Sequence, residues 1–230
     1  MPIVSFSGLL LVSYLIGSIP TGLLIVRLAA GKDIRQVESG RTGGTNAMRA
    51  AGFWAGLATA LLDMLKAAVT VWLARWLVPG QVWLQVLAPV AAVIGHNYSI
   101  FLAERTPEGK LRLRGGAGGA PTAGGALGLW PPSILFIIPV GALMLFGVGY
   151  ASVATMSAPV VAALVFAYRA WTGAAPWEYV FYGVITEILL LIALRPNIQR
   201  LREGNERMHG IRVWLRKRAE QKAARNQQVK

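Results

Sequence analysis

The chain has 230 residues, 55% of them apolar and 14% charged, about half the charge of an ordinary soluble domain. A water-soluble domain of this length has too little interior to hide so much apolar sequence, so the composition excludes a soluble globule and points to one membrane domain. Cysteine is absent and the two histidines, His96 and His209, are far apart, which excludes disulfides and thiolate chemistry and leaves no metal site or cofactor to expect.

In chain order, apolar runs bounded by charge, Pro or Trp predict spans at 5–30, 51–78, 82–103, 117–130, 131–149, 152–170 and 177–194. The first run lacks a basic leader region and a small-residue cleavage pattern, so it reads as a retained span. Pro20 predicts a bend in it that frees a carbonyl for another helix. The fourth run is short and Gly-rich; counted with the fifth as one bent helix it would reduce seven spans to six. Basic loops decide the parity. Lys32, Arg35, Arg41 and Arg49 lie in the first loop, and Arg105, Lys110, Arg112 and Arg114 in the one after residue 103. Eleven Lys and Arg follow from Arg195 onward, and a net charge of +13 is thereby concentrated on one side. Seven crossings put all three on the cytoplasmic face, with the N-terminus outside and Trp83, Trp130, Trp171 and Trp177 at the outer interface.

The expected fold class is therefore all-α: a polytopic bundle of about seven transmembrane helices over residues 1–196, then a basic amphipathic cytoplasmic segment over 197–230. Nucleic acid is not an expected partner, because beyond Arg195 only Trp214 is aromatic. Anionic lipid explains the same basic residues.

Three polar, glycine-bearing segments interrupt the apolar pattern, and the topology places all three on one face. The first, residues 38–49, runs Glu-Ser-Gly-Arg-Thr-Gly-Gly-Thr-Asn-Ala-Met-Arg into the second span. Glycines turn backbone N–H groups inward, the helix start adds partial positive charge, and Asn46 and Arg49, three apart, share a helical face. Ser39 and Thr45 add hydroxyl donors, so the segment suits an anion, phosphate above all; an ordinary capped helix after a flexible loop fits it equally well. The second holds Gly95-His96-Asn97-Tyr98 and then Arg114-Gly115-Gly116-Ala117-Gly118-Gly119. His96 reads either as a hydrogen-bonded structural group or as a base, and Arg114 as a phosphate clamp. The third, residues 197–206, reads on its own as a basic juxtamembrane helix. Inside the spans, Asp63 and Lys66 are spaced to pair on one face, and Glu187 has no evident partner.

YLIGSIPTGLLIVRL at 14–28, GKDIRQVESGRTGGTNAMRAAG at 31–52, LLDMLK at 61–66, GH at 95–96, RGGAGG at 114–119, YASVATMSA at 150–158 and NIQRLREGNE at 197–206 resemble, in order, the acyl-phosphate-dependent glycerol-3-phosphate acyltransferases of bacteria. The resemblance implies seven helices in the inner membrane and a metal-free, cytoplasm-facing site for glycerol 3-phosphate and a fatty acyl phosphate. It implies catalytic positions at Ser39, Arg49 and Asn197. Substrate binding falls to Thr45, Asn46, His96, Arg114, Gly115, Gly116, Gly118 and Arg200. Gly204 and Glu206 complete the third motif. Arg114 replaces the first lysine of the family's second motif and Ala117 its second lysine. Leu194 replaces a histidine and Arg41 an asparagine.

The function implied is acyl transfer to the 1-position of glycerol 3-phosphate, giving lysophosphatidic acid and phosphate. The replacements keep a second function open, a catalytically silent membrane relative that binds a phosphorylated ligand or partners a lipid enzyme.

Overall fold

The computed structural model describes residues 3–208 and Arg218, and side chains from residue 6 onward. Helices α1 (Ile3–Ser18) and α2 (Thr21–Ala30) form one apolar rod broken at Pro20. Proline lacks an N–H and cannot continue the ladder. The carbonyls exposed at the break are both used: Ser99 Oγ donates to Ser18 O at 2.6 Å and Lys66 Nζ to Ile19 O at 3.1 Å. A single turn, Ile34–Gln36, and a short helix α3 (Gly44–Ala51) follow. The expectation of a loop running straight into the second span is corrected here. Gly52, at φ 89, separates α3 from α4 (Phe53–Leu77), a backbone state that glycine adopts without steric cost.

Helix α5 (Val82–Asn97) ends sooner than the expected span 82–103. Residues 99–105 turn instead into β1 (Ser99–Arg105), antiparallel to β2 (Leu111–Arg114), with Glu104 opposite Arg112. The all-α expectation is thus corrected by one two-stranded hairpin. Its turn is Thr106-Pro107-Glu108-Gly109, in which Gly109 N–H donates to Thr106 O at 2.8 Å.

Helices α6 (Gly119–Leu129), α7 (Ile134–Leu143, continued by a wide turn at Met144–Val148), α8 (Ala151–Trp171), α9 (Glu178–Ala193) and α10 (Arg195–Arg202) follow. At 11 residues, α6 is about 17 Å long, short of the roughly 30 Å hydrocarbon layer. Most of its residues are buried inside the bundle, so lipid thickness does not set its length. Gly124 and Gly128, one turn apart, let its backbone lie against Met64 and Val71 of α4. Among the described residues, four segments are long and apolar enough to cross a membrane: Phe6–Ala30, Phe53–Leu77, Pro131–Val148 and Ala151–Trp171. A fifth counts if α9 and α10, bent by 68°, are joined. Pro196 in the first turn of α10 explains the bend, because its missing N–H interrupts the ladder from α9.

The core between α4, α5, α6, α8 and α9 is built from small and branched residues around Phe166 and Tyr182, including Val71, Val86, Ala126 and Ala162. Large apolar side chains point outward instead, among them Leu61, Leu135, Leu164 and Ile188. That inversion of the soluble pattern is what a lipid solvent asks for. Of the basic segment expected over 197–230, residues 197–202 lie in α10 and 203–208 fold back, Met208 bridging to Tyr150; 209–217 and 219–230 lie outside the described residues.

Candidate active site

The three polar segments meet at one end of the bundle. Arg41 joins them: its Nη1 donates to Gly116 O at 3.0 Å, and its Nη2 to Ala193 O at 2.5 Å and to Asn197 Oδ1 at 3.5 Å. Thr42 N–H adds a bond to Gly115 O at 3.3 Å. Residues 75 and 152 positions beyond Arg41 in the chain are thereby held on its one guanidinium.

In the first segment, Asp33 ends an extended stretch and accepts from Arg35 N–H, while the Arg35 guanidinium grips the same carboxylate at 2.6 Å. That hydrogen bond from Arg35 pulls the Asp33 carboxyl down to about 2. Glu38 (φ 50) and Gly40 (φ 66) turn the chain, and Glu38 pairs with Arg207. Ser39 is exposed at the turn, its Oγ accepting weakly from Arg41 N–H at 3.4 Å. Thr45 sits in the first turn of α3, partly buried. Asn46 faces inward, and its Nδ2 donates to the carbonyls of Ile34, Val37 and Arg41 at 3.2, 2.9 and 2.8 Å. Its amide nitrogen therefore shapes the loop. Arg49 is half-buried, which pushes its guanidinium down, and Glu206 acts against that shift.

The floor of the second segment is charged. Asp63 Oδ1 takes Lys66 Nζ at 2.8 Å and Thr21 Oγ1 at 2.5 Å, and Lys66 Nζ also lies 3.0 Å from His96 Nδ1. The same Nδ1 lies 3.4 Å from Asp63 Oδ1, so the ring sits against both members of the pair, accepting from the ammonium in one tautomer and donating to the carboxylate in the other. Nε2 lies where a side chain on Gly116 would be, which fixes glycine at that position. His96 is thus buried under the Gly-rich turn, and Gly116 N–H donates back to His96 O at 2.9 Å. Gly118 (φ 92) passes close to Asn97, a buried amide with neither polar atom hydrogen-bonded. Arg114 is paired with Glu104 across the hairpin.

In the third segment the buried carboxylate of Glu206 receives Asn197 Nδ2 at 2.9 Å and Arg200 Nε at 3.3 Å. Asn197 is consequently held at both ends of its amide, by Arg41 and by Glu206. Sequence reasoning missed the contribution of His96 to the Asp63–Lys66 pair, the orphan Asn97 and the joining role of Arg41. A cation inside a glycine-rich run was the available signal for Arg41. Among the described residues no cluster could hold a metal ion.

A helical membrane bundle with a cationic, glycine-lined junction of three loops at one end defines a membrane protein for anionic ligands. A sequence profile described as glycerol-3-phosphate acyltransferase matches residues 7–204. A glycerol-3-phosphate acyltransferase of Thermus thermophilus is 36% identical over 213 residues, covering 90% of this chain and 96% of the relative. That of Rubrobacter xylanophilus is 38% identical over 204 residues, covering 89% and 95%. The crystal structure of PlsY (YgiH), an integral membrane glycerol 3-phosphate acyltransferase, in its glycerol 3-phosphate form superposes with a TM-score of 0.76 at 31% identity, over 92% of this chain and 98% of that one. Its lysophosphatidic acid form gives 0.74 at 28%, over 90% and 96%. The chain belongs to the glycerol-3-phosphate acyltransferase family.

Proposed function

We propose that the protein transfers a fatty acyl group from an acyl phosphate to the 1-position of glycerol 3-phosphate, at the junction held by Arg41. Family membership supports acyl transfer to glycerol 3-phosphate, and the meeting of three distant polar loops on one guanidinium is the observation that carries the site. The C1 hydroxyl attacks the acyl carbonyl, the C–O bond to phosphate breaks, and the hydroxyl proton leaves with the phosphate. An acyl phosphate is an activated mixed anhydride, so the protein's work is to align two anions and offset their repulsion. Ser39, Arg49 and Asn197 are the catalytic residues in this reading. Exposed Ser39 faces the reactants, Arg49 takes a phosphate, and Asn197, fixed at both ends, orients the hydroxyl. Thr45, Gly115 and Gly118 offer donors, Gly116, its N–H spent on His96 O, keeps the turn close over the histidine, and Asn46, His96, Arg114 and Arg200 shape the walls. A groove of about 620 Å³ at the α9–α10 bend is lined by Ile188, Leu191 and Ile192 together with Arg195 and Arg202, a lining suited to an amphiphile with an anionic head.

The topology proposed has seven crossings of the inner membrane, the site and C-terminus cytoplasmic and the N-terminus outside, because the basic loops gather at the site end. The chain has no cysteine, so single cysteines at Pro107 and Gly80 report sidedness without background. The reaction is tested by phosphate release from palmitoyl phosphate with detergent-purified protein. Release that needs glycerol 3-phosphate and falls by about 10²-fold or more in Ser39→Ala supports the reading. Folded wild-type protein that releases none leaves a phosphate-binding scaffold in its place.

A further inference from the structure

The cations at the site end differ in what answers their charge. Arg35 is paired with Asp33, Arg114 with Glu104 and Arg200 with Glu206, each on a carboxylate. Arg41 forms no ion pair among the described residues; its partners are the carbonyls of Gly116 and Ala193 and the amide oxygen of Asn197. Glu206 favours its charge from a distance, but that carboxylate is already engaged by Asn197 and Arg200. Burial opposes the charge of Arg41, and Arg200 adds to that opposition. A desolvated cation answered only by neutral dipoles is costly, and an anion beside it recovers that cost.

The guanidinium also has capacity to spare. Of its five N–H donors, Nη1 uses one and Nη2 two, which leaves Nε–H and a second Nη1–H without a partner among the described residues. Its position is central: it touches the residue before Ala117 and the residue before Leu194, between the entrance of α6 and the end of α9. Two residues beyond Gly116, the unpartnered Asn97 amide lies beside Gly118.

We infer that Arg41 is a binding residue that receives the phosphate group of a substrate at this junction. The inference rests on the proposed reaction, which supplies two candidates of the same chemistry, a phosphate monoester on glycerol and an acyl phosphate. The closest ordinary alternative is a purely structural clasp between loops, and the two make different predictions.

The test compares wild type, Arg41→Gln and Arg41→Lys in detergent, with KM measured separately for glycerol 3-phosphate and for palmitoyl phosphate. Loss of a charge-assisted fork raises the KM of the substrate it holds by about tenfold or more in Arg41→Gln, with the other KM within about twofold, and this split names the phosphate. A fall in kcat with both KM values unchanged overturns the inference and leaves the clasp. Should Arg41→Gln fail to fold, Arg41→Lys decides, because it keeps charge and loses the planar fork: a severalfold rise in one KM supports the inference, and two unchanged values overturn it. Thermal stabilisation by inorganic phosphate keeps this separate from the reaction itself. If wild type is stabilised but does not turn over, loss of that stabilisation in the folded Arg41 variant supports binding while the proposed reaction fails. Full retention, or no stabilisation of wild type without turnover, overturns the inference.

Discussion

Helix α6 is gripped at both ends by an arginine that reaches backbone carbonyls. Arg41 takes Gly116 O just ahead of it, and Arg75 takes Gly128 O at 2.9 Å and Leu129 O at 2.6 Å in its last turn. At the Arg75 end the cation complements the helix C-terminus, and Gln85 and Tyr179 fill further donors at 3.2 and 3.1 Å. Tyr179 in turn donates to Gln85 Oε1 at 2.6 Å, which closes the cluster. At the Arg41 end donors remain, Asn97 is orphaned and the backbone is glycine-rich. Arg75 thus spends four of its five N–H donors on the protein's own polar groups and Arg41 three. The same residue type therefore serves stability where its donors are mostly spent among ordered polar neighbours and, on the inference above, function where more of them stay open.

The largest effect that would sharpen this contrast lies beneath the site. Lys66→Met leaves the Asp63 carboxylate buried without its cation and is expected to destabilise the fold by about 3–5 kcal/mol, read as a lowered thermal or denaturant midpoint. Next, Arg75→Met strips two helix-end carbonyls, Gln85 and Tyr179 of a partner. It should lower stability by about 2–3 kcal/mol while the folded fraction keeps its KM values within about twofold. A selective rise in one KM there would break the distinction between the two ends.

The smallest expected effect is at Asp33, where the loop of the site begins. Its carboxyl is depressed in the folded state, so its stabilising contribution is fully present above the unfolded carboxylate value and fades as pH falls from about 4 to about 2. The pair is near the surface and screened, so the contribution is no more than about 1 kcal/mol. Asp33→Asn should therefore unfold more easily than wild type at pH of about 6 and equally easily below pH of about 2. A difference that persists in acid would assign the effect to the cap on Arg35 N–H and not to charge.

Much of the fold was legible in the sequence. Lipid demands unbroken apolar runs, a local property, and each predicted run contains a helix over most of its length. Pro20 announced the break between α1 and α2, and one carbonyl there, Ile19 O, is taken by another helix as expected, while Ser18 O is taken by Ser99 of the unexpected strand β1. The hairpin was missed although Thr106-Pro107-Glu108-Gly109 is a strong turn signal, because the charge around it reads first as an ordinary loop. The separate helix α3 was missed because it depends on one dihedral at Gly52.

The sequence by itself determined the solvent, the class of fold and the three segments that hold the candidate site, since apolar continuity, charge bias and glycine-rich interruptions are written along the chain. Only the tertiary structure decided which polar groups remain unanswered. His96 joins Asp63 and Lys66 from 30 residues away, Glu206 claims Asn197 and Arg200, Glu104 claims Arg114, and Arg41 is left with neutral partners. Pairing is a matter of distances of about 3 Å between groups far apart in the chain, and no local pattern specifies them.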